Sequence, residues 1–268
     1  MYYLTMDVCI VCIAKNENLY INEWIDHHLK IGIDHIYVCD NNDIDGENIK
    51  DVVKSKHVTI HNYRGVKCVQ PKAYTECFLQ YRSQYDWLIF IDIDEFIMLD
   101  DKFNNIKEFI SSPIFKDVDI IRLNWKLYSG EKKFDTLNNY NVLNRLTNSI
   151  DHKENNFGKS IINSNIQYIG GEIYGHGYFE NKNLKVVNAI GGPALNEWST
   201  VSNVPIYTNA WINHYPTKTI SEYINQKYFR GGANNNNSRY STLDYFFKYN
   251  NKNDDIIKYA ENKIRGMC

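Results

Sequence analysis

Two aspartates and a glutamate follow an apolar stretch of the sequence: Asp92, Asp94 and Glu95 come directly after residues 87–91. If this segment is extended, residues two apart face the same side, so Asp92 and Asp94 project together while Ile93 packs behind them. Two such carboxylates suit a hard divalent cation such as Mg²⁺ or Mn²⁺, with substrate phosphates completing its shell. The pattern therefore predicts a cation site, with a solvated acidic turn as the alternative.

The elements before this segment alternate between strand and helix patterns. Apolar runs predict strands at residues 8–13, 35–39, 58–63 and 87–91, and helical spacing predicts helices over residues 21–29 and 71–82. This alternation is typical of a doubly wound α/β fold with a mixed, mostly parallel sheet, in which ligands bind at the carboxyl ends of strands. Polar loops follow three of the strands and predict a nucleotide-binding edge there: Lys15-Asn16-Glu17, Asp40-Asn41-Asn42 and Asp92-Ile93-Asp94.

The second half of the chain has a weaker pattern. Strands are predicted at residues 118–128, 184–190 and 206–212, and Thr219 with Glu222 forms a capping box before a helix that ends at Gly231. No proline- or serine-rich linker divides the chain, so we predict a single domain over residues 1–268. Within it we expect a nucleotide-binding half at about 1–128, an acceptor and metal-completing half at about 129–232, and a helical tail at 233–268.

Composition and charge exclude several classes of protein. The 268 residues are 43% hydrophobic, and 30 Lys and Arg against 32 Asp and Glu give a net charge of −2, which argues against a nucleic-acid binder. The longest apolar run, residues 8–14, is far shorter than the ~20 residues that span a bilayer, although peripheral membrane association stays open. Cys9 and Cys12 would point to opposite faces of one strand, so we expect buried, reduced cysteines and a cytoplasmic location.

Several blocks of residues occur in a definite order along the chain. They are Ile13-Ala14-Lys15-Asn16-Glu17 with Glu23-Trp24-Ile25 and His28; Gly32-Ile33-Asp34-His35-Ile36-Tyr37-Val38 with Asp40-Asn41 and Asp45-Gly46; Gln70, Ala73-Tyr74, Cys77, Trp87 and Asp92-Ile93-Asp94-Glu95-Phe96; and His214-Tyr215, Thr217-Lys218, Glu222-Tyr223, Lys227 and Arg230-Gly231. Together these blocks resemble the GT-A glycosyltransferases of the family 2 and family 92 type, and the resemblance implies a GT-A, Rossmann-like fold. The blocks frame residues 8–232, and the stretch 129–205, where the correspondence is weaker, would select the acceptor.

This resemblance implies a hexosyltransferase that moves a sugar from a nucleotide-diphosphate sugar, with a UDP-sugar expected, to a hydroxyl of a glycan or lipid-linked acceptor. Bacterial surface polysaccharide synthesis is the expected setting. Mn²⁺ or Mg²⁺, held by Asp92, Asp94 and His214 with His176 as a further candidate, would neutralise the leaving diphosphate. The residues expected to contact the donor are Ala14, Lys15, Asn16, Glu17, Asp40, Asn41, Gln70, Lys72, Asp92, Ile93, Lys218 and Arg230.

The catalytic base is the least determined of the implied residues. The resemblance favours inversion, which needs a carboxylate to accept the proton of the attacking hydroxyl. Glu172, flanked by Gly170-Gly171, is the first candidate, and Asp151 and Glu197 are comparable alternatives because no spacing rule separates them.

A different enzyme class also uses an Asp-x-Asp motif after an apolar strand. Asp92-Ile93-Asp94 could serve an aspartate-dependent phosphatase or phosphotransferase, whose first aspartate is the nucleophile. In that class the motif follows the first strand, whereas here it follows the fourth and precedes Glu95. A non-enzymatic, metal-bound lectin-like module would not need the two polar loops upstream. The transferase is therefore the favoured prediction.

Overall fold

The computed structural model describes residues 6–130, 134, 141–177, 183–195, 199–231 and 240–267. Within these ranges, nine strands form one sheet in the order β3-β2-β1-β4-β7-β6-β9-β5, with β8 paired to β6. The strands are β1 Val8–Ala14, β2 His35–Asp40, β3 Val58–Asn62, β4 Trp87–Phe90, β5 Glu95–Leu99, β6 Ile120–Leu127, β7 Gly158–Asn163, β8 Val186–Asn188 and β9 Ala210–His214.

The helices cluster between the early strands and near the C-terminus. Short 3₁₀ turns occupy Pro113–Phe115 and Lys153–Asn156. The α-helices are α1 Ile21–Lys30, α2 Ile49–Val52, α3 Gln70–Tyr81, α4 Ile106–Ile110, α5 Val142–Arg145, α6 Ile220–Tyr223, α7 Leu243–Phe247 and α8 Asp254–Arg265.

The first four strands form a parallel β-α-β half, as the apolar runs predict. Strand β1 pairs in parallel with β2 and β4, and β2 pairs in parallel with β3. Cys9 and Val11 pack in one core with Ala73 and Tyr74 of α3, so the equally buried Cys12 points to the other face. A strand buried on both faces explains the continuous apolar sequence of β1. The predicted α/β fold and the predicted buried, free state of Cys9 and Cys12 are confirmed.

Strand β7 was not predicted, and it changes the character of the sheet. It lies antiparallel between β4 and β6, where Ser160 pairs with Phe90 and with Arg122. Within β7 only Ile161 and Ile162 are consecutive apolar residues, and a run of two is too short to indicate a strand by itself. The parallel strands are therefore joined to the rest of a mixed sheet by β7, which lies much later in the sequence.

Gly158 is where β7 comes closest to β6. A Cβ at this position would lie 1.8 Å from the carbonyl oxygen of Leu123, a backbone atom that cannot move aside. We expect Gly158→Ala to lower the free energy of unfolding by about 1–3 kcal/mol through overpacking. Urea denaturation measures this, and Gly46→Ala is the matched control because its Cβ would meet only ordinary contacts. Equal stability of the two variants would contradict the close approach.

The chain divides into two compact units: the described parts of residues 1–125 and 153–213, and those of 126–152 and 214–268. The division falls within β6, after Trp125, and before His214, the last residue of β9. The single domain and its three functional parts remain predictions. No helix in the described ranges is both long and apolar enough to cross a membrane.

The second unit is built around the predicted capping box. Thr219 and Glu222 exchange both capping bonds, which confirms it. The chain is helical from residue 220 to residue 230, with a π-helical segment at Ile224–Tyr228 that the spacing did not predict. Glu222 also accepts hydrogen bonds from both terminal nitrogens of Arg145, and both side chains are buried. The helix is therefore fixed at its start by a buried ion pair.

Three predicted strands are shorter in the structure than in the sequence pattern. The strand predicted at 118–128 is β6, Ile120–Leu127, and that predicted at 184–190 is β8, Val186–Asn188. The strand predicted at 206–212 begins only at Ala210 and continues to His214. Strand pairing decides these limits, and the sequence pattern does not contain it.

Candidate functional site

The acidic segment after β4 is a turn, so its predicted extended form is wrong. The amide of Glu95 donates to the carbonyl of Asp92 at 3.1 Å, and the Asp92 amide donates to Glu95 Oε2 at 3.1 Å. These reciprocal bonds close the turn before β5 begins. Asp94 is 8% exposed and Glu95 is fully buried, whereas the Asp92 side chain is 34% exposed. The two aspartates therefore have different environments.

Helix α1 fixes the strand that follows this turn. Trp24 Nε1 donates to the carbonyl of Glu95 at 2.6 Å. His28 contacts the carbonyl of Trp24 through Nδ1 at 2.8 Å and accepts from the Ile97 amide through Nε2 at 3.3 Å. Since these bonds are buried, they hold Glu95 and its neighbours with little freedom. The apolar spacing that predicts α1 thus also places the residues that support the site.

Asp92 is held by three side chains rather than directed at open solvent. Lys159 Nζ donates to its Oδ2 at 2.6 Å, while Gln70 Nε2 and the Tyr74 hydroxyl donate to Oδ1 at 3.1 and 3.3 Å. Gln70 therefore contacts Asp92, and its contact with the donor stays a prediction. Direct contact of Asp92 with a cation or the donor stays a prediction.

Lys159 is the residue that the sequence analysis missed. It is 2% exposed, its ammonium lies 3.6 Å from Glu95 Oε1, and it donates to the carbonyl of Gly175 at 2.5 Å. Burial alone would lower the pKa of Lys159, but the carboxylates of Asp92 and Glu95 outweigh it, so the pKa is raised. Burial likewise raises the pKa of the Glu95 carboxyl well above its usual range, against the opposing effect of Lys159.

Asp94 and Glu95 each offer one carboxylate oxygen, and these two atoms lie within 4.8 Å of each other. Two buried carboxylate oxygens this close together suit a hard divalent cation such as Mg²⁺ or Mn²⁺, so the residues present fit one. Of the predicted metal residues, Asp94 belongs to this pair. His214, the last residue of β9, belongs to the second unit, and its metal-binding role stays a prediction.

His176 lies in a loop that reaches this site without joining that group. Its Nδ1 contacts the carbonyl of Gly158 at 2.9 Å, and its ring centre is 5.2 Å from that of Trp125. Burial, helped by the positive charge of Lys159, lowers the pKa of His176 to about 3. The imidazole is therefore neutral near pH 7. A metal-binding role for His176 stays a prediction.

The first candidate base, Glu172, is exposed on the same loop. Gly170 and Gly171 before it have φ values of +97° and +92°, which glycine adopts without strain. Ile173 after it is fully buried, and its amide donates to Thr75 Oγ1 at 2.8 Å. Glu172 is thus anchored on its C-terminal side. Of the alternatives, Asp151 is exposed in the second unit and Glu197 lies outside the described residues.

Asp40 is predicted to contact the donor, but its carboxylate is buried and accepts hydrogen bonds from the protein itself. It is 2% exposed, and its Oδ1 accepts from the backbone amide and side chain of Asn42 at 3.0 and 2.7 Å. Its Oδ2 lies 3.4 Å from Arg64 Nη1 and from the Ile49 amide. The carboxylate therefore holds the loop after β2 in shape, and a direct donor contact stays a prediction.

The polar loop after β1 is more accessible to solvent than Asp40 is. Lys15 pairs with Asp43 at 2.8 Å, and Asn16 has φ of +55° with its amide donating to Asn42 at 2.8 Å. Glu17 is buried at the start of the turn into α1. The loops after β1 and β2 are thus joined at the carboxyl ends of adjacent strands, where the fold predicts a ligand.

The remaining predicted donor contacts have varied environments. Ala14 and Ile93 are buried, and Asn41 donates to the carbonyls of the loop after β3. Lys72 is exposed and lies 3.9 Å from Glu76. In the second unit, Lys218 is buried with φ of +54°, and Arg230 is half-buried at the end of its helix. Their roles in binding stay predictions.

A family model for glycosyltransferase family 92 matches residues 5–193, which is more than half of the chain. The chain belongs to glycosyltransferase family 92. The matched range includes the acidic turn, Lys159 and Glu172, whereas His214, Lys218 and Arg230 follow it. The predicted resemblance and the predicted enzyme class are confirmed at the level of the family.

Curated relatives of family 92 match a shorter part of the chain. A family 92 protein of Ricinus communis is 33% identical over 98 residues, which cover 35% of this chain and 16% of the relative. A family 92 protein of Oryza sativa subsp. japonica is 30% identical over 92 residues, which cover 34% of this chain and 16% of the relative. The match to these relatives therefore spans about a sixth of their length.

Among solved structures, the chain is similar to the mannosyltransferase PcManGT from Pyrobaculum calidifontis in complex with GDP-Man and Mn²⁺. That match has a TM-score of 0.34 and 12% identity, and it covers 46% of this chain and 38% of the other. The chain is also similar to TarS of S. aureus, residues 1–349. That match has a TM-score of 0.33 and 13% identity, and it covers 46% of this chain and 36% of the other.

Proposed function

We propose that this family 92 member transfers a sugar from a nucleotide-diphosphate sugar to a hydroxyl of a glycan or lipid-linked acceptor, in the presence of Mn²⁺ or Mg²⁺. A UDP-sugar is the proposed donor. The observation that carries the proposal is the pair of buried carboxylates Asp94 and Glu95 at the start of β5, whose ligand oxygens lie within 4.8 Å of each other. The setting in bacterial surface polysaccharide synthesis stays a prediction.

The chemistry that the cation would supply is stabilisation of the negative charge that builds on the leaving diphosphate. Asp94 and Glu95 are buried beside the β4–β5 turn, and Trp24 anchors Glu95 through its carbonyl. This rigid support keeps the carboxylates in place before the donor arrives, so little reorganisation is needed on binding. The joined loops after β1 and β2 provide the proposed seat for the nucleoside.

The acceptor hydroxyl would lose its proton to Glu172 in an inverting transfer. Glu172 is exposed on a loop whose Gly175 and His176 contact Lys159 and Ser160 of β7. The loop thus presents a solvent-accessible carboxylate while its C-terminal part is tied to the acidic turn. A base in this position is accessible to a hydroxyl from solvent, which supports the proposal.

A phosphatase that uses Asp92 as its nucleophile is less favoured by the geometry. Such a carboxylate needs one oxygen directed at a phosphorus atom. Both Asp92 oxygens instead accept hydrogen bonds, from Lys159 on one side and from Gln70 and Tyr74 on the other. Attack by Asp92 would require these bonds to break first.

Thermal unfolding with and without ligands tests the proposed donor class. Saturating UDP with Mn²⁺ should raise the midpoint by about 5–10 °C, since binding at a hundred times Kd contributes about 2.7 kcal/mol. UDP with EDTA, and uridine with Mn²⁺, should each give a much smaller shift. Equal shifts for UDP and uridine, or the same UDP shift in EDTA, would contradict metal-assisted diphosphate binding. Hydrolysis of a panel of nucleotide sugars would then identify the sugar.

A further inference from the structure

A lysine is an unusual residue at a buried position beside the acidic turn, where Lys159 lies. Its side chain is 2% exposed, and its ammonium contacts the carboxylates of both Asp92 and Glu95, at 2.6 and 3.6 Å. A buried ammonium pays a large desolvation penalty, which only close contact with opposite charges can offset. The position therefore points to a role that requires the positive charge.

We propose that Lys159 is a positioning residue that sets the charge which the acidic turn presents to a divalent cation. Asp92 and Glu95 are negatively charged when ionised, and the ammonium of Lys159 offsets part of that charge because it lies 2.6 Å from Asp92 and 3.6 Å from Glu95. This inference rests on the cation site of the proposed function.

The contacts of Lys159 explain how one ammonium can fix this arrangement. Its bond to Asp92 Oδ2 leaves Oδ1 to Gln70 and Tyr74 of α3, so Asp92 is drawn toward α3. Its bond to the carbonyl of Gly175 ties the loop that carries Glu172 to the same point. Lys159 thus assigns Asp92 to charge balance, and the proposed cation binds at Asp94 and Glu95.

The test is calorimetric titration of Mn²⁺ alone into the full chain and four variants, with no donor or turnover involved. Lys159→Met removes a positive charge near the cation, so the Kd for Mn²⁺ should fall about tenfold. Asp92→Asn leaves Lys159 unbalanced, so the Kd should rise about tenfold. The double variant should return to the affinity of the unsubstituted chain, because it removes a neutral pair. Lys107→Met is the matched control: Lys107 pairs with Asp34 at 2.6 Å elsewhere in the first unit and should leave the Kd unchanged.

The outcomes separate this inference from the proposed function. If the Lys159→Met chain binds Mn²⁺ equally or more weakly, or if the double variant binds as weakly as Asp92→Asn, charge balance by Lys159 is overturned. The second result would make Asp92 a direct ligand. Should Lys159→Met fail to fold, as judged by circular dichroism, the double variant still decides between these alternatives. Absence of Mn²⁺ binding in the unsubstituted chain would overturn the cation site itself, and this inference with it.

Discussion

Replacement of Asp94 by asparagine should lower kcat/KM about 10²–10³-fold while the protein remains folded. Asp94 is one of two carboxylates in the proposed cation group, and asparagine keeps its shape but removes the charge that a divalent cation requires. The loss corresponds to about 2.7–4 kcal/mol of transition-state stabilisation. Initial rates at saturating Mn²⁺ measure it, together with the thermal midpoint in EDTA, which should change little.

A matched control for this variant is Asp101→Asn. Asp101 is exposed just after β5, so removal of its charge leaves the site untouched and activity should stay near that of the unsubstituted chain. Full turnover of Asp94→Asn, or an unchanged rise in its thermal midpoint on addition of Mn²⁺, would show that Asp94 is not a cation ligand. The Mn²⁺-dependent rise in thermal midpoint should disappear together with the activity.

The largest effect on stability is expected from Arg145→Met in the second unit. Arg145 and Glu222 form a buried ion pair, and Glu222 also accepts from the amide of Thr219 at the helix start. Loss of the guanidinium leaves a buried carboxylate without its charge partner, which typically costs about 3–5 kcal/mol. Urea denaturation followed by far-UV circular dichroism should show the corresponding fall in midpoint.

Two comparison variants show whether the effect comes from the buried charge. Lys72→Met removes the exposed partner of Glu76, 3.9 Å away, and should cost at most about 0.5 kcal/mol. Arg145→Met combined with Glu222→Met removes both charges and should recover part of the loss. A cost for Arg145→Met as small as that for Lys72→Met would mean that the pair contributes little to the second unit.

The parallel half of the sheet could be predicted because its strands are buried on both faces. Such strands produce the continuous apolar runs of β1 and β4, and the helices between them produce a 3.6-residue spacing of residues such as Trp24 and His28. The capping box at Thr219 was equally predictable because it is a local bond pattern. These features need no knowledge of distant contacts.

The site was only partly predictable because distant segments complete it. Lys159 is one lysine among many in the sequence, and only the pairing of β7 with β4 brings it to Asp92. The separate environments of Asp92 and Asp94 arise from a turn closed by Glu95, which the apolar run before it does not encode. Asp40 resembles a ligand residue in the sequence but is buried against its own loop.

The late position of β7 has a consequence for how this protein is made. Strand β4, Trp87–Phe90, is apolar throughout, and its free side is covered by β7, which begins only at Gly158. On the ribosome, β4 emerges long before its cover, so the nascent chain carries an open strand edge of the kind that pairs with other chains. A fragment cut near residue 128, at the end of the predicted nucleotide-binding half, would keep that edge open permanently. Recombinant work on this family member is therefore better served by the longer chain than by its apparently self-sufficient first half.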